Sequence, residues 1–375
     1  MSRSWVLATV LLGSLPVFAS GQSSSPWHDP SPHTVQFVTV DQDVKLEVLD
    51  WGGSGKALVL LAGLGGTAHV YDDFAPKLTS EYHVYGITRR GFGASSAPAT
   101  GYSADRLADD VLAVLDALKI PKPVLVGHSI AGEELSSLGT RHPERLAGLI
   151  YLDAAYSYAF YAPSLGDWNI DLQELLKELD KLQFGKRPAD PKPVVNELLE
   201  MSLPGFEKDL QEMQKQMAAQ PVVGVRPPVP GAADRQSFEA FRLWQEKVSG
   251  DAPPEAELRQ QQESTPDGHV GGPRTKPAVS QAIVWGEQKY TAPKLPVLAI
   301  FAIPHDWGPA IDNNAALRAS MEIADQPFVQ QVEAFESAVP SAKVVRLPNS
   351  SHLVFISKEA DVLREMRSFL ETLHE

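Results

Sequence analysis

The stretch "VLVGHSIAGEE", Val124 to Glu134, decides how the rest of this 375-residue chain is read. Val124-Leu125-Val126 has the apolar, branched composition of a buried strand. Ser129 follows, with Gly127 before it and Ala131 and Gly132 after it, and a helical pattern begins. A sharp strand-to-helix turn needs small neighbours, because the residue at its apex is strained and its flanks crowd the sheet. Such a turn lifts the Ser129 Oγ above the strand ends. It also sets the Ile130 N–H at a helix N-terminus, where a developing oxyanion gains from hydrogen bonding and the helix dipole. The pattern is G-x-S-x-G with Ala131 in the last glycine's place, a side chain small enough to be tolerated. A Ser capping an ordinary strand-to-helix loop would also match five residues. The strand before and the helix after favour a nucleophile.

Outward from this turn, strand and helix patterns alternate from about residue 57 to 155. "KALVLLAGLGG" (56–66), "HVYGITRRGFG" (83–93) and "LAGLIYLDAA" (146–155) read as buried strands, and "SADRLADDVLAVLDALKI" (103–120) as an amphipathic helix with Ser103 as its N-cap. Alternation of this kind specifies an α/β fold with a mostly parallel sheet covered by helices. "TVQFVTVDQDVKLEVLDWGG" (34–53) reads as a hairpin turning at Asp41-Gln42-Asp43. From Tyr156 to Tyr290 the chain is rich in Gln, Pro, Glu and Lys. Helices are expected over 172–182 and 205–217, and loops over 220–234 and 250–277. The sheet pattern resumes with "PVLAIFA" (296–302), helix 326–339, strand 342–348 and helix 357–373. One α/β domain, 34–156 plus 290–375, is thus interrupted by an insertion over 157–289.

Residues 22–33 form a Ser/Pro linker. Residues 1–21 carry Arg3, an apolar run from Trp5 to Phe18, then Ala19, Ser20 and Gly21, the three-part layout of a secretory signal peptide. The run is short for a membrane span, which needs about 20 residues. A secreted or periplasmic protein is expected, with no membrane span in the mature chain. It has no Cys, so no disulfide supports the fold. Hydrophobic residues make up 43% and charged residues 21%, a globular composition. The net charge of −14 argues against a nucleic-acid partner, which requires a basic face.

Two further loops carry candidate chemistry. "LLAGLGG" (60–66) ends an earlier strand, and the Leu64 N–H is the expected second oxyanion donor; a plain glycine-rich turn is the alternative. Phosphate binding is not expected, because no Gly-Lys-Ser/Thr follows. "LPNSSHLVF" (347–355) carries His352, alone among ten histidines in standing at a late strand end before the last helix. An imidazole there suits the role of base to Ser129. His128 is expected to point away across the turn, and His69 to line the pocket mouth. Glu133 and Glu134 suit the dipole of the helix they open, and Arg89 and Arg90 suit structural salt bridges. The aromatics of "AYSYAFY" (155–161) suit core packing, or the wall of an acyl pocket.

Taken in order, "LLAGLGG", "RRGFGASS", "VGHSIAGEEL", "LIYLDAA", "PVLAIFAIPHD" and "SSHLVF" resemble the α/β-hydrolase superfamily. The resemblance implies the α/β-hydrolase fold, with the 157–289 segment as a helical cap inserted after the sixth strand. It implies a triad in the order Ser, acid, His, with the acid after the first strand beyond the cap, three residues past a glycine. Ala302 occupies that glycine's place and Asp306 lies four residues on, so Asp306 is the expected acid. Asp153, at the end of the preceding strand, is the alternative. Asp312 and Asp325 also follow, Asp325 reading as the cap of the next helix. A Ser at the turn, where relatives that open epoxides or remove halides carry Asp, makes those reactions unexpected. The expected activity is hydrolysis of a carboxylic ester in a small-molecule substrate, without metal or cofactor. Amide or peptide hydrolysis, cofactor-free perhydrolysis and C–C cleavage use the same triad. A non-catalytic ligand-binding member is the reading from another class.

Overall fold

Eight apolar stretches meet in one sheet whose order differs from their order in the chain. In the computed structural model, which describes residues 27–219 and 228–374, the strands are β1 (Thr34–Asp41), β2 (Val44–Gly52), β3 (Ala57–Leu61), β4 (His83–Ile87), β5 (Val124–His128), β6 (Gly148–Leu152), β9 (Val297–Phe301) and β10 (Lys343–Arg346). Two short strands of the inserted segment, β7 (Gln262–Ser264) and β8 (Val270–Pro273), pair separately as a hairpin. The large sheet runs β1-β2-β4-β3-β5-β6-β9-β10. β2 is antiparallel to both its neighbours, and every pairing from β4 to β10 is parallel. The leader expected over 1–21 lies outside the described residues. Residues 1–30 form a unit of their own, in which the described residues 27–30 carry no helix or strand. Residues 31–375 form the other unit.

The helices of the larger unit, in chain order, are α1 (Ala104–Ala117), α2 (Gly132–Arg141), α3 (Trp168–Lys181), α4 (Lys192–Glu197), α5 (Leu203–Ala219), α6 (Phe238–Ser249), α7 (Glu255–Gln261), α8 (Pro277–Val284), α9 (Pro309–Asp312), α10 (Ala315–Ala338), α11 (Val354–Ser357) and α12 (Glu359–Glu371). Both sheet faces are covered. On one, α1, α2 and α10 supply Val111, Leu135 and Phe335 to a core with Val59, Leu125 and Phe301. On the other, α12 supplies Val362 and Met366 against Leu58, Val126 and Ile300. Alternate residues of β5 enter opposite cores, which is the two-residue period of a strand buried on both faces.

The segment between β6 and β9 differs from its sequence reading in one region. The stretch expected as loop over 250–277 contains α7 and the β7–β8 hairpin, and α8 starts at its end. Its polar, Pro-rich composition hides these elements because they are short and bury only one side. Leu258 and Val270 pack with Phe238 and Phe241, while Val279 and Ile283 pack with Phe92, Tyr102, Leu107 and Ile130. The inserted segment therefore touches the loop that carries Ser129. The helix expected over 326–339 begins eleven residues earlier, at Ala315, with Asn314 as its N-cap and Pro327 inside it.

Candidate active site

Register decides which loops meet. β5 and β6 pair in parallel with His128 opposite Leu152, and β6 pairs with β9 with Leu152 opposite Ile300. The next residue on β5 is Ser129 and on β6 is Asp153, so both sit one step past adjacent strand ends. Both have left-handed backbones, φ +52° at Ser129 and +50° at Asp153. For residues with a Cβ this costs on the order of 1–3 kcal/mol each, and such strain is retained where the fold over-determines it.

The small residues around Ser129 are required by contact. A Cβ on Gly127 would lie 2.7 Å from Leu135 Cδ1, and one on Gly132 would lie 2.0 Å from the Ala154 carbonyl oxygen. The strict glycine after the turn is thus Gly132, which is why Ala131 is tolerated one position earlier. A Cβ on Gly63 would approach Ser129 Cβ to 3.0 Å and the His128 ring to 2.8 Å. This brings the 63–66 turn, closed by the Gly66 N–H to the Gly63 carbonyl at 3.1 Å, directly beside Ser129. Leu64 stands in that turn and is exposed, and Ile130 lies in the short 3₁₀ turn Ser129–Ala131.

The acid that meets His352 is Asp153. His352 Nδ1 donates to Asp153 Oδ2 at 2.6 Å. Asp306, the expected acid, is elsewhere: its Oδ1 accepts the Gly308 N–H at 2.8 Å and its own N–H donates to the Ser350 carbonyl, a turn aspartate that makes no hydrogen bond to His352. The extra residue between Ala302 and Asp306 gives the place facing the site to His305 instead. Asp325 is likewise not a helix cap; it lies inside α10 and is buried. Asp312 ends the short α9.

Asp153 is fully buried with every lone-pair direction occupied. Oδ1 accepts the Ala302 N–H at 2.9 Å and the Tyr156 hydroxyl at 2.5 Å. Oδ2 accepts His352 Nδ1–H and, at 2.9 Å, His305 Nε2–H. Burial alone would raise the carboxyl, but the hydrogen bonds from His305 and His352 outweigh it and hold the group below the usual carboxylate range. Asp153 is therefore the ionised partner that a catalytic imidazole needs. Asp153, His305 and His352 also have the donor types of a metal site. Here the Asp153 oxygen is taken by N–H groups of both rings, an arrangement complete without an ion.

His352 is half exposed at its side chain, while its carbonyl accepts the His128 Nε2–H at 2.9 Å. His128 does not point away from the site: its ring packs 4.6 Å from that of His352. Burial pushes His128 down to about 3, so it is neutral and serves as a donor to the backbone that carries His352. Ser129 and His352 form no hydrogen bond with each other in this structure, and such contacts often tighten only around substrate. Beside Ser129, Tyr158 packs with Ile130, Phe92 and Ile283.

Buried ion pairs set the turn over residues 62–67. Arg89 Nε and Nη2 hold the two oxygens of Glu134 at 2.7 and 2.6 Å, and Nη2 also donates to the Ala62 carbonyl at 3.0 Å. Arg90 pairs with Asp110 in the same bidentate way. From the inserted segment, Glu257 of α7 accepts the Thr67 N–H at 2.9 Å and the Thr67 hydroxyl. Glu133 has no partner for either carboxylate oxygen among the described residues, and burial followed by repulsion from Glu134 pushes it well above the carboxylate range. His69 is buried rather than at a pocket mouth. Burial would lower it, but Asp72 and Glu47 carry it up to about 10.

His305, Tyr156 and Glu257 escaped the sequence reading. His305 left a trace there as a histidine adjacent to the expected acid in "IPHDWG", and Tyr156 as one of the aromatics of "AYSYAFY", neither with its contact to Asp153.

Comparison with known proteins agrees with this architecture. A family model described as alpha/beta hydrolase fold matches residues 56–240. The chain is 23% identical over 191 residues to a 2-(acetamidomethylene)succinate hydrolase of Mesorhizobium japonicum, covering 51% of this chain and 64% of that one. It is 33% identical over 115 residues to a 3-oxoadipate enol-lactonase of Acinetobacter baylyi, covering 30% and 43%. The match spans less than two thirds of the length of these curated relatives. The crystal structure of an E-2-(acetamidomethylene)succinate hydrolase superposes with a TM-score of 0.55 at 16% identity, covering 90% of this chain and 99% of that one, a likeness of fold.

Proposed function

Because this chain belongs to the α/β-hydrolase superfamily, we propose that it is a serine hydrolase whose triad is Ser129, His352 and Asp153 and whose substrate is a small-molecule carboxylic ester. One observation carries the reading: a buried, ionised Asp153 bonded at 2.6 Å to His352, beside a left-handed Ser129 at the neighbouring strand end.

In this mechanism Asp153 holds the His352 Nδ1–H, which leaves Nε2 as the basic nitrogen. His352 takes the Ser129 proton as Oγ attacks the ester carbonyl carbon, and Asp153 stabilises the imidazolium. The N–H groups of Ile130 and Leu64 hold the oxyanion. The alcohol leaves with the proton from His352. Water, deprotonated by the same imidazole, then attacks the acyl-enzyme and releases the acid and Ser129. The segment 157–289 acts as a cap, and the contacts of Val279 and Ile283 with Ile130 support that role. The leader-like residues 1–21 support export to a periplasm or the exterior. An ester bond is favoured by the likeness to an enol-lactonase, since a lactone is a cyclic ester.

The test is a panel of aryl ester, anilide and peroxide reagents together with a fluorophosphonate probe. Ester turnover and probe labelling in the native enzyme, both abolished in Ser129→Ala, are the expected result. Undiminished ester turnover in Ser129→Ala would sink the assignment, and turnover of the anilide alone would move it to amide hydrolysis.

A further inference from the structure

His305 contacts two carboxylates at once. Its Nε2 lies 2.9 Å from Asp153 Oδ2 and its Nδ1 lies 2.5 Å from Asp325 Oδ1, while its backbone N–H donates to the other Asp325 oxygen at 3.1 Å. An ionised carboxylate only accepts, so an imidazole between two of them must donate from both nitrogens, and only the imidazolium does so. Its side chain is 4% exposed, sealed by Trp307 and Phe328 at ring distances of 5.1 and 5.7 Å. The ring stands 6.3 Å from that of His352, on the far side of the shared Asp153 oxygen.

We propose that His305, clamped by Asp325, is a positioning residue for the triad: it anchors Asp153 against His352 and, as a fixed cation, sets the lower pH limit of reaction at Ser129. The proposal rests on the triad reading above. A cation beside Asp153 cancels part of the negative field that would otherwise favour protonated His352. With that cation present, reaction at Ser129 persists into more acid solution. Burial would lower His305, but Asp153 and Asp325 carry it up to about 9, in keeping with the donor geometry.

The other titratable groups around the pair do not supply this charge. His128, from the end of β5, is neutral. Tyr156 and Tyr158, from the loop after β6, are held protonated, first by burial. Asp251, from the inserted segment, binds Ser351, and Asp306 binds its own loop. Among the described residues, His305 is the cation that shares a carboxylate with His352.

The experiment measures the rate of fluorophosphonate inactivation against pH for the native enzyme, His305→Gln and His305→Lys, with circular dichroism to establish folding. Gln keeps a donor toward Asp153 without the charge, and Lys keeps the charge. The acid limb should move up by about one pH unit in His305→Gln, an approximately tenfold slower reaction at pH 5.5, and stay near the native position in His305→Lys. Coincident limbs for all three proteins, with the native enzyme reactive, would overturn the proposal and leave the triad standing. A native enzyme inert to the probe would overturn both. A second measurement needs no variant: the ¹⁵N spectrum of His305 in the native protein should remain that of a doubly protonated ring from pH 5 to 8, and a neutral ring at pH 7 would overturn the proposal.

Discussion

Asp153 and His352 are 199 residues apart in the chain and 2.6 Å apart in the fold. The contact links the end of β6 to the loop after β10 and passes beneath the loop after β9, where the acid was expected. Asp153→Asn should therefore lower kcat on an aryl ester by about 10³–10⁴-fold, as removal of the orienting carboxylate does in a serine triad. Asp306→Asn should stay within a few-fold of native, since an amide oxygen can still accept the Gly308 N–H. Steady-state kinetics of the two variants side by side decide the point, and the reverse ranking would restore Asp306.

The turn at Ser129 makes a prediction about stability. Gly132→Ala places a methyl 2.0 Å from the Ala154 carbonyl oxygen, a backbone atom that cannot step aside. A loss of about 3 kcal/mol or more is expected. Ala131→Gly removes one buried methyl and adds backbone freedom, with an expected cost of about 1 kcal/mol. Urea unfolding of both variants would check the order.

Arg89 and Glu134 are each almost fully buried and satisfy one another. Glu134→Ala strands the guanidinium beside the Ala62 carbonyl. A loss of about 3–5 kcal/mol is expected, because the remaining charge stays buried without its partner. Thermal melts would measure it. A variant as stable as the native protein would mean that water reaches Arg89.

Glu257 gives stability a pH dependence. Burial, against the lowering effect of the Thr67 bonds, raises its carboxyl to about 7, above the value near 4.3 of an unfolded chain. Between those values the folded state binds the extra proton, so stability falls as pH rises from about 4.5 to 7. Glu257→Gln cannot titrate and should flatten that part of the profile while keeping an oxygen for Thr67. Unfolding free energies at pH 5 and pH 7.5 would test this, and an unchanged slope in the variant would remove Glu257 as its source.

How much of the site was legible depended on how local each residue's signal is. Ser129 announces itself through its immediate neighbours, because the strain of the turn dictates small residues within three positions. His352 was legible from its place between a last strand and a last helix. The acid was not. Two aspartates follow adjacent strands, Asp153 directly after β6 and Asp306 in the loop after β9, and spacing from Ala302 pointed to Asp306. The same region hid His305, since nothing in "IPHDWG" says which side chain turns toward β6. Glu257 was still less visible: it sits in a polar stretch that reads as loop, and its partner Thr67 is 190 residues away.

By itself, then, the sequence determined the α/β class, the order of strands and helices around the inserted segment, the tight turn at Ser129 and the place of His352 after the last strand. These follow from periodicity and backbone strain, which act over a few residues. The tertiary structure alone decided that Asp153 is the carboxylate that meets His352, that His305 and Asp325 stand behind it, and that His128 donates to the His352 carbonyl. Each of those depends on parallel register between strands distant in the chain. Register sets which strand ends coincide, and a buried carboxylate stays ionised only where donors from several such ends converge on it.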